Sequence, residues 1–283
     1  MMPVAVYPGC SLNGSSREYM ESLRAILDYF NISINEIEDW NCCGATAAHS
    51  IDHSLSVALP SRILNQAAKG GYNDLLVPCA ACYNRLKVVQ KEINSSAEVK
   101  AKVAQVLDEE LNTPERILNI LDYLLAHLIP LLEGTTLQPF SKKVACYYGC
   151  LLVRPKAISG ETRIEDPQEM DNIMHRIGAD PIQWAFKTEC CGAGFSVSNT
   201  QSVARLSSDI ITDAVDRGAE TIIVACPMCH SNLDMRRKEI EKYSKRKFDI
   251  PVLFITQAIG LALGIPAKKL GLQRHFVPVN FNS

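Results

Sequence analysis

The sequence predicts an α/β protein built from two similar units in tandem, each a mainly parallel sheet flanked by helices. Two observations carry this. A five-cysteine pattern occurs twice and takes up ten of the eleven cysteines. Around it, short β-branched segments alternate with apolar-periodic stretches in the same order in both halves. In the first half Cys10 is followed by the doublet Cys42-Cys43 and then by Cys79 and Cys82. In the second, Cys150 is followed by Cys190-Cys191 and then by Cys226 and Cys229. The single cysteine and the doublet are 31 and 39 residues apart, the doublet and the CxxC pair 35 and 34. Neighbours repeat as well. Tyr7-Pro8-Gly9-Cys10 matches Tyr147-Tyr148-Gly149-Cys150, Cys42-Cys43-Gly44 matches Cys190-Cys191-Gly192, and Val77-Pro78-Cys79 resembles Ala225-Cys226-Pro227.

Taken in order, residues 4–7 read as a strand ending at Gly9-Cys10. Ser15-Ser16 caps an apolar-periodic helix that reaches Phe30. A second strand over residues 34–40 ends at the doublet. A helix through Leu55, Leu59, Ile63 and Ala67 closes at Gly70-Gly71. Residues 75–77 form the third strand, ending at Pro78-Cys79. The second half repeats the series: a strand from Val144 toward Cys150, a helix over 170–177, a strand over 182–184, a helix over 202–217, and a strand over 221–225. Helices follow both CxxC pairs, over 83–93 and 230–243. Every cysteine group then stands at the C-terminal end of a strand, where open α/β sheets place their ligand crevices. The two CxxC pairs also precede helices, and thiolates at a helix N-terminus gain from its unpaired N–H groups. The expected domains are residues 1–140 and 141–283, divided where residues 134–141 turn polar around Pro139.

Composition narrows the function classes. With 283 residues the chain holds one large or two medium domains. A net charge of −2, from 29 basic and 31 acidic residues, argues against nucleic acid as the main partner. Met1-Met2-Pro3-Val4 has no basic n-region, so no signal peptide is expected. The most apolar stretch, residues 117–132, carries Asp122, His127 and Pro130 and reads as core or inter-domain packing, with a partner interface as the alternative. A cytoplasmic chain without a transmembrane segment is expected, and there dense cysteine points to metal or redox chemistry rather than disulfides.

Soft thiolates select zinc, copper(I) or iron–sulfur clusters. Zinc is the plainer reading, as the staple of an interaction module. Five thiols per half exceed one zinc tetrahedron, and adjacent cysteines reach different irons of a cluster more easily than they close one tetrahedron. Iron–sulfur is therefore favoured. Gly9, Gly44, Gly149 and Gly192 stand beside the thiols and read as sites of positive φ or close backbone approach to sulfur. Cys146, aligned with Val6, reads as a buried small hydrophobe. His230, next to Cys229, reads as a proton donor to a leaving thiolate or as a hydrogen-bonding neighbour of the ligands. His49 and His53, four apart on one helix, read as surface or packing residues. Residues 236–247 hold seven basic and two acidic side chains. They form either a steering patch for anions or a solvated helix face. Arg85 and Lys87 carry the same two readings.

The ten-cysteine pattern resembles the duplicated cysteine-rich CCG domain. A chain of two such domains and little else resembles the B subunit of heterodisulfide reductase. CCG domains also occur in glycolate- and lactate-oxidising systems and in succinate dehydrogenase-type complexes. The resemblance implies tandem Rossmann-like α/β CCG domains, each holding a non-cubane 4Fe-4S cluster. Cys10, Cys42, Cys43, Cys79 and Cys82 would bind one cluster, and Cys150, Cys190, Cys191, Cys226 and Cys229 the other. It implies reduction of a disulfide to two thiols, with a ferredoxin-like C subunit and a flavin-containing A subunit as partners, often in an electron-bifurcating complex. No flavin or nicotinamide fingerprint occurs in this chain, so another protein is expected to supply electrons. The alternative is an iron–sulfur electron-transfer subunit of another multi-subunit oxidoreductase.

Overall fold

The computed structural model describes residues 3–45 and 48–280. It contains two four-stranded sheets, parallel throughout, one in each half of the chain. The first comprises β1 (Val4–Val6), β2 (Ile34–Glu36), β3 (Asp74–Leu76) and β4 (Arg116–Leu118), in the order β2-β1-β3-β4. The second comprises β5 (Lys143–Tyr147), β6 (Asp180–Pro181), β7 (Thr221–Val224) and β8 (Val252–Phe254), in the order β6-β5-β7-β8. The central strands are buried along their length apart from Asp74 and Lys143, at the first positions of β3 and β5. That is why they read as continuous apolar runs rather than alternating ones.

In each sheet the chain reverses direction of travel between the two central strands. The crevice at such a switch point receives the residues that follow those strands. In the first sheet these are Gly9-Cys10 after β1 and Cys79 after β3; in the second, Gly149-Cys150 after β5 and Cys226 after β7. The strand order thus delivers four cysteines to two equivalent places.

Several boundaries differ from the sequence reading. The second strand stops at Glu36, not Trp40, and β6 occupies Asp180–Pro181 rather than 182–184. Ile182 N still donates to Val144 O at 2.9 Å, but the chain then leaves the sheet toward the doublet. Ser16 occupies the N-cap of the helix Arg17–Tyr29 without a side-chain cap bond. Its hydroxyl is buried with no partner, so apolar packing rather than capping fixes that start. The helix after the second CxxC is broken into Pro227–His230, a π-turn Ser231–Met235 and Arg237–Ser244. Residues 117–132 begin in β4 and continue as a helical run with a π-turn at Leu124–Leu128. Their buried side chains, from Ile117 to Leu132, belong to the core. Among the described residues no helix is long and apolar enough to cross a membrane.

The halves share one continuous core. The helix Arg17–Tyr29 of the first half packs on Ile255–Ala262 of the second. Tyr19 stacks on Phe254, ring centroids 4.1 Å apart, and its hydroxyl donates to Ala225 O at 3.1 Å. Ser22 and Thr256 share a buried hydroxyl–hydroxyl bond of 2.6 Å.

Candidate functional site

The two switch points bring the cysteines together in two groups. Cys43 Sγ lies 3.1 Å from Cys82 Sγ, and Cys191 Sγ 3.7 Å from Cys229 Sγ. Cys42 and Cys43, and Cys79 and Cys82, are close enough to shift one another's protonation in the first group, as are Cys150 and Cys190, and Cys226 and Cys229, in the second. Cys10 is close enough to Cys42 to push its thiol up by charge. The groups also approach each other, because the Cys79 and Cys226 thiols lie near enough to shift one another's protonation. Cys43, Cys79, Cys82, Cys191, Cys226 and Cys229 are buried along this seam. Cys10, Cys42 and Cys190 are exposed at its outer ends, and Cys150 is half-buried.

Crowding sets the protonation of these sulfurs. Hydrogen bonds from Cys42 and Cys82 pull Cys43 down to about 3, while the same contacts raise Cys42 and Cys82. The bond to Cys150 lowers Cys190 to about 6 and raises Cys150. Cys226 is lowered by Cys229 and Cys79, which are raised in turn. Each thiolate is stabilised chiefly by neighbouring thiols that keep their protons, and secondarily by backbone N–H groups. A bound cationic group removes that constraint, since all the thiols then ionise toward it. Ten converging sulfurs, five in each half, suit the soft, multi-thiolate ligation of iron–sulfur groups.

The backbone around the sulfurs is matched in the two halves. Gly9 (φ +60°) and Gly149 (φ +67°) carry the chain past the CxxC sulfurs: a Cβ there would stand 3.4 Å from Cys82 Sγ and 2.9 Å from Cys229 Sγ. Gly44 (φ +73°) and Gly192 (φ +80°) turn their N–H groups back on the doublets, at 3.4 Å from Cys42 Sγ and 3.3 Å from Cys190 Sγ. Left-handed backbone and close approach both explain glycine at these positions. Cys79 and Cys226 are the N-cap residues of the helices that follow them.

Sequence reasoning missed two supports. Tyr7 and Tyr147 were visible as repeated neighbours, yet their role was not. The Tyr7 hydroxyl donates to Asn41 O at 2.8 Å and that of Tyr147 to Glu189 O at 2.7 Å. Each tyrosine ties the end of a central strand to the carbonyl just before the doublet. The second support is Lys187, 1% exposed, whose ammonium lies 2.9 Å from both Asp166 and Asp171. Its carbonyl accepts from Tyr148 N and Gly149 N, at 2.8 and 3.1 Å, beside Cys150. Tyr148 donates to Asp171 at 2.7 Å. A lone lysine gives no sequence signal of burial.

Other expected residues fall elsewhere. Cys146 is fully buried in β5 among apolar neighbours, and burial raises its thiol well above the ordinary value. The His230 ring is buried, stacked on Phe254 at 4.3 Å, with Nε2 3.1 Å from Val252 O. Burial lowers it to about 3, so the neutral ring with one N–H is favoured at ordinary pH. The hydrogen-bonding role is the one this placement suits. His53 is exposed near Glu92, and the side chain of His49 lies outside the described residues. In the basic segment Arg237 is buried and donates to Phe248 O and Ile250 O. Arg236 donates to Ser196 O, Arg246 pairs with Asp216 and Lys247 with Glu241. Arg85 donates to Ser56 O at 3.0 Å.

Comparison with known proteins agrees with the geometry. The cysteine-rich domain model, CCG, matches residues 4–87 and 144–234. The membrane anchor subunit of 8-methylmenaquinol:fumarate reductase from Wolinella succinogenes is 30% identical, over 96% of each chain. The B subunit of ferredoxin:CoB–CoM heterodisulfide reductase from Methanosarcina mazei is 27% identical, over 98% of this chain and 94% of its own. A solved structure of a hypothetical protein from Helicobacter pylori superposes with a TM-score of 0.79 at 15% identity, over 99% of this chain and 52% of its own. At that identity the likeness speaks for the fold alone. The chain belongs to the cysteine-rich CCG domain family, with one copy in each half, and is similar along nearly its whole length to the B subunit of heterodisulfide reductase.

Proposed function

We propose that this chain is the catalytic iron–sulfur subunit of a heterodisulfide reductase-like complex, reducing a disulfide to two thiols. The observation that carries the reading is the approach of two complete five-thiol sets to each other at Cys79 and Cys226, with exposed thiols at the outer ends. Cys10, Cys42, Cys43, Cys79 and Cys82 would hold one non-cubane 4Fe-4S cluster, and Cys150, Cys190, Cys191, Cys226 and Cys229 the other. When bound, these groups supply paired one-electron centres, which the two-electron cleavage of an S–S bond requires. The chain's own part is to fix the sulfurs, with Gly149, Gly192 and their counterparts shaping the backbone around them. It also excludes water from the seam and leaves an approach open beside Cys10, Cys42 and Cys190. The Methanosarcina relative supports disulfide as the substrate class. Electrons would arrive from a ferredoxin-like C subunit and a flavin-containing A subunit.

The test is metal analysis with EPR on anaerobically purified protein, before and after oxidation with added thiol. About eight irons per chain and a thiol-dependent signal are expected. Zinc in place of iron at the cysteines would sink the proposal.

A second reading is favoured by the Wolinella relative, named as part of a fumarate reductase. On it the same centres pass electrons within a quinol-linked complex and meet no disulfide. Full iron with no thiol response, together with reduction by a quinol through its partner subunits, would select this reading.

A further inference from the structure

Behind Cys229 lies a second group of metal-type donors, separate from the ten thiols. One atom each from His230, Asp234 and His275 lie within 4.8 Å of one another. His230 and Asp234 are buried, at 2% and 0% exposure. His230 Nε2 is 3.4 Å from His275 Nδ1 and 3.1 Å from the Val252 carbonyl oxygen. A tetrahedral zinc with Zn–N bonds of roughly 2.0–2.1 Å has ligand–ligand edges of about 3.3–3.4 Å. The nitrogen–nitrogen spacing fits such an edge, whereas it is long for an N–H···N hydrogen bond. The Asp234 carboxylate supplies the third donor, within 4.8 Å of both ring nitrogens.

The surroundings supply an independent indication. His230 Nδ1 is buried and has no hydrogen-bond partner, yet Glu18 Oε1 stands 3.7 Å away. A cation on Nε2 places the ring proton on Nδ1, facing that carboxylate, as metal-bound imidazoles generally do. The other nitrogen of His275 meets the Gln257 side-chain amide at 2.8 Å. Asp234 is oriented by Phe276 N at 2.8 Å and Val277 N at 3.1 Å.

We propose that His230, Asp234 and His275, with the Val252 carbonyl oxygen as fourth donor, bind a divalent cation of the zinc type. Four protein donors leave no open position, so the site is structural. The cation ties the turn after Cys229 and the start of β8 to the segment around His275. Through Glu18 it reaches the helix Arg17–Tyr29 of the first half.

The experiment is zinc and iron analysis of the full chain purified with both metals supplied, beside His275→Gln and Asp234→Asn. One zinc per chain is expected in the unaltered protein, on top of its iron. Both variants lose the zinc and keep the iron. Absence of zinc, or zinc retained in both variants, overturns the site. If the variants do not fold, zinc-edge X-ray absorption of the unaltered protein decides: a nitrogen and oxygen shell supports the site, and a sulfur shell overturns it. Iron is counted in the same samples, so failure of the cysteine assignment is read separately.

Discussion

Cys79 of the first half and Cys226 of the second, equivalent positions of the repeat, lie near enough across the seam for each thiol to shift the other's protonation. Each stands at the N-cap position of the helix that follows its strand. Both positions are buried.

Centres held on either side of that pair should couple. Cys43→Ala and Cys191→Ala are each expected to cut iron from about eight to about four per chain and to abolish disulfide reduction. The EPR spectrum of the surviving centre should lose the broadening that its neighbour imposes. Unchanged iron in either variant removes that thiol from the ligand set.

Gly149→Ala isolates the close approach to sulfur. The left-handed backbone alone costs about 1–2 kcal/mol for a residue with Cβ. Gly160, at φ +78° with nothing near its Cβ position, has the same backbone cost and no sulfur contact. Gly160→Ala should therefore lower stability with iron unchanged, while Gly149→Ala should lose iron from the second centre as well. Equal iron in the two variants would argue against the sulfur contact as the reason for Gly149.

Removing the Tyr147 hydroxyl leaves the Glu189 carbonyl without its donor. Tyr147→Phe should cost about 1–2 kcal/mol in denaturant unfolding, as a lost buried hydrogen bond does. The doublet loop should also exchange its amide hydrogens faster. An unchanged unfolding midpoint would show that the tie carries no stability.

Lys187→Met strands Asp171, which is buried between the lysine and Tyr148. Breaking one side of a buried pair costs about 3–5 kcal/mol, and replacing both sides costs much less. The double variant Lys187→Met/Asp171→Asn should accordingly recover most of the loss in thermal unfolding. Additive losses would contradict the pairing.

In the basic segment, stability and charge should separate. Arg237→Gln removes buried bonds to Phe248 O and Ile250 O and is expected to destabilise by about 2–4 kcal/mol. Replacing Lys238, Lys242 and Lys245 by Gln should change stability by less than about 0.5 kcal/mol. A raised KM in that triple variant marks the lysines as steering charges; an unaltered KM marks a solvated face.

The repeat itself was legible because thiols, the glycines beside them and the preceding tyrosines recur at matched places. From that, two tandem parallel units followed, as did cysteines at strand ends. The strands β4 and β8 and the helix Ile255–Ala262 carry no such marker and were not found. Residues 117–132 looked like one apolar stretch because a buried parallel strand and a buried helix have the same composition over a few residues. Strand ends at Glu36 and Pro181 were misjudged for a related reason, since apolar residues (Ile37 and Trp40, Ile182 and Trp184) follow where the chain leaves the sheet.

What the sequence alone determined is the inventory: two units, ten thiols, and the residue types that suit soft metal ligation. What only the tertiary structure decided is which of these meet. Cys79 and Cys226 are distant in sequence and come together because the two sheets share one core and turn the same switch point toward each other. Lys187 is buried because Asp166 and Asp171 fold over it, and His230 faces His275 and Glu18 because the end of the chain packs back across the seam. Such contacts depend on packing between elements, and packing leaves no period in a sequence.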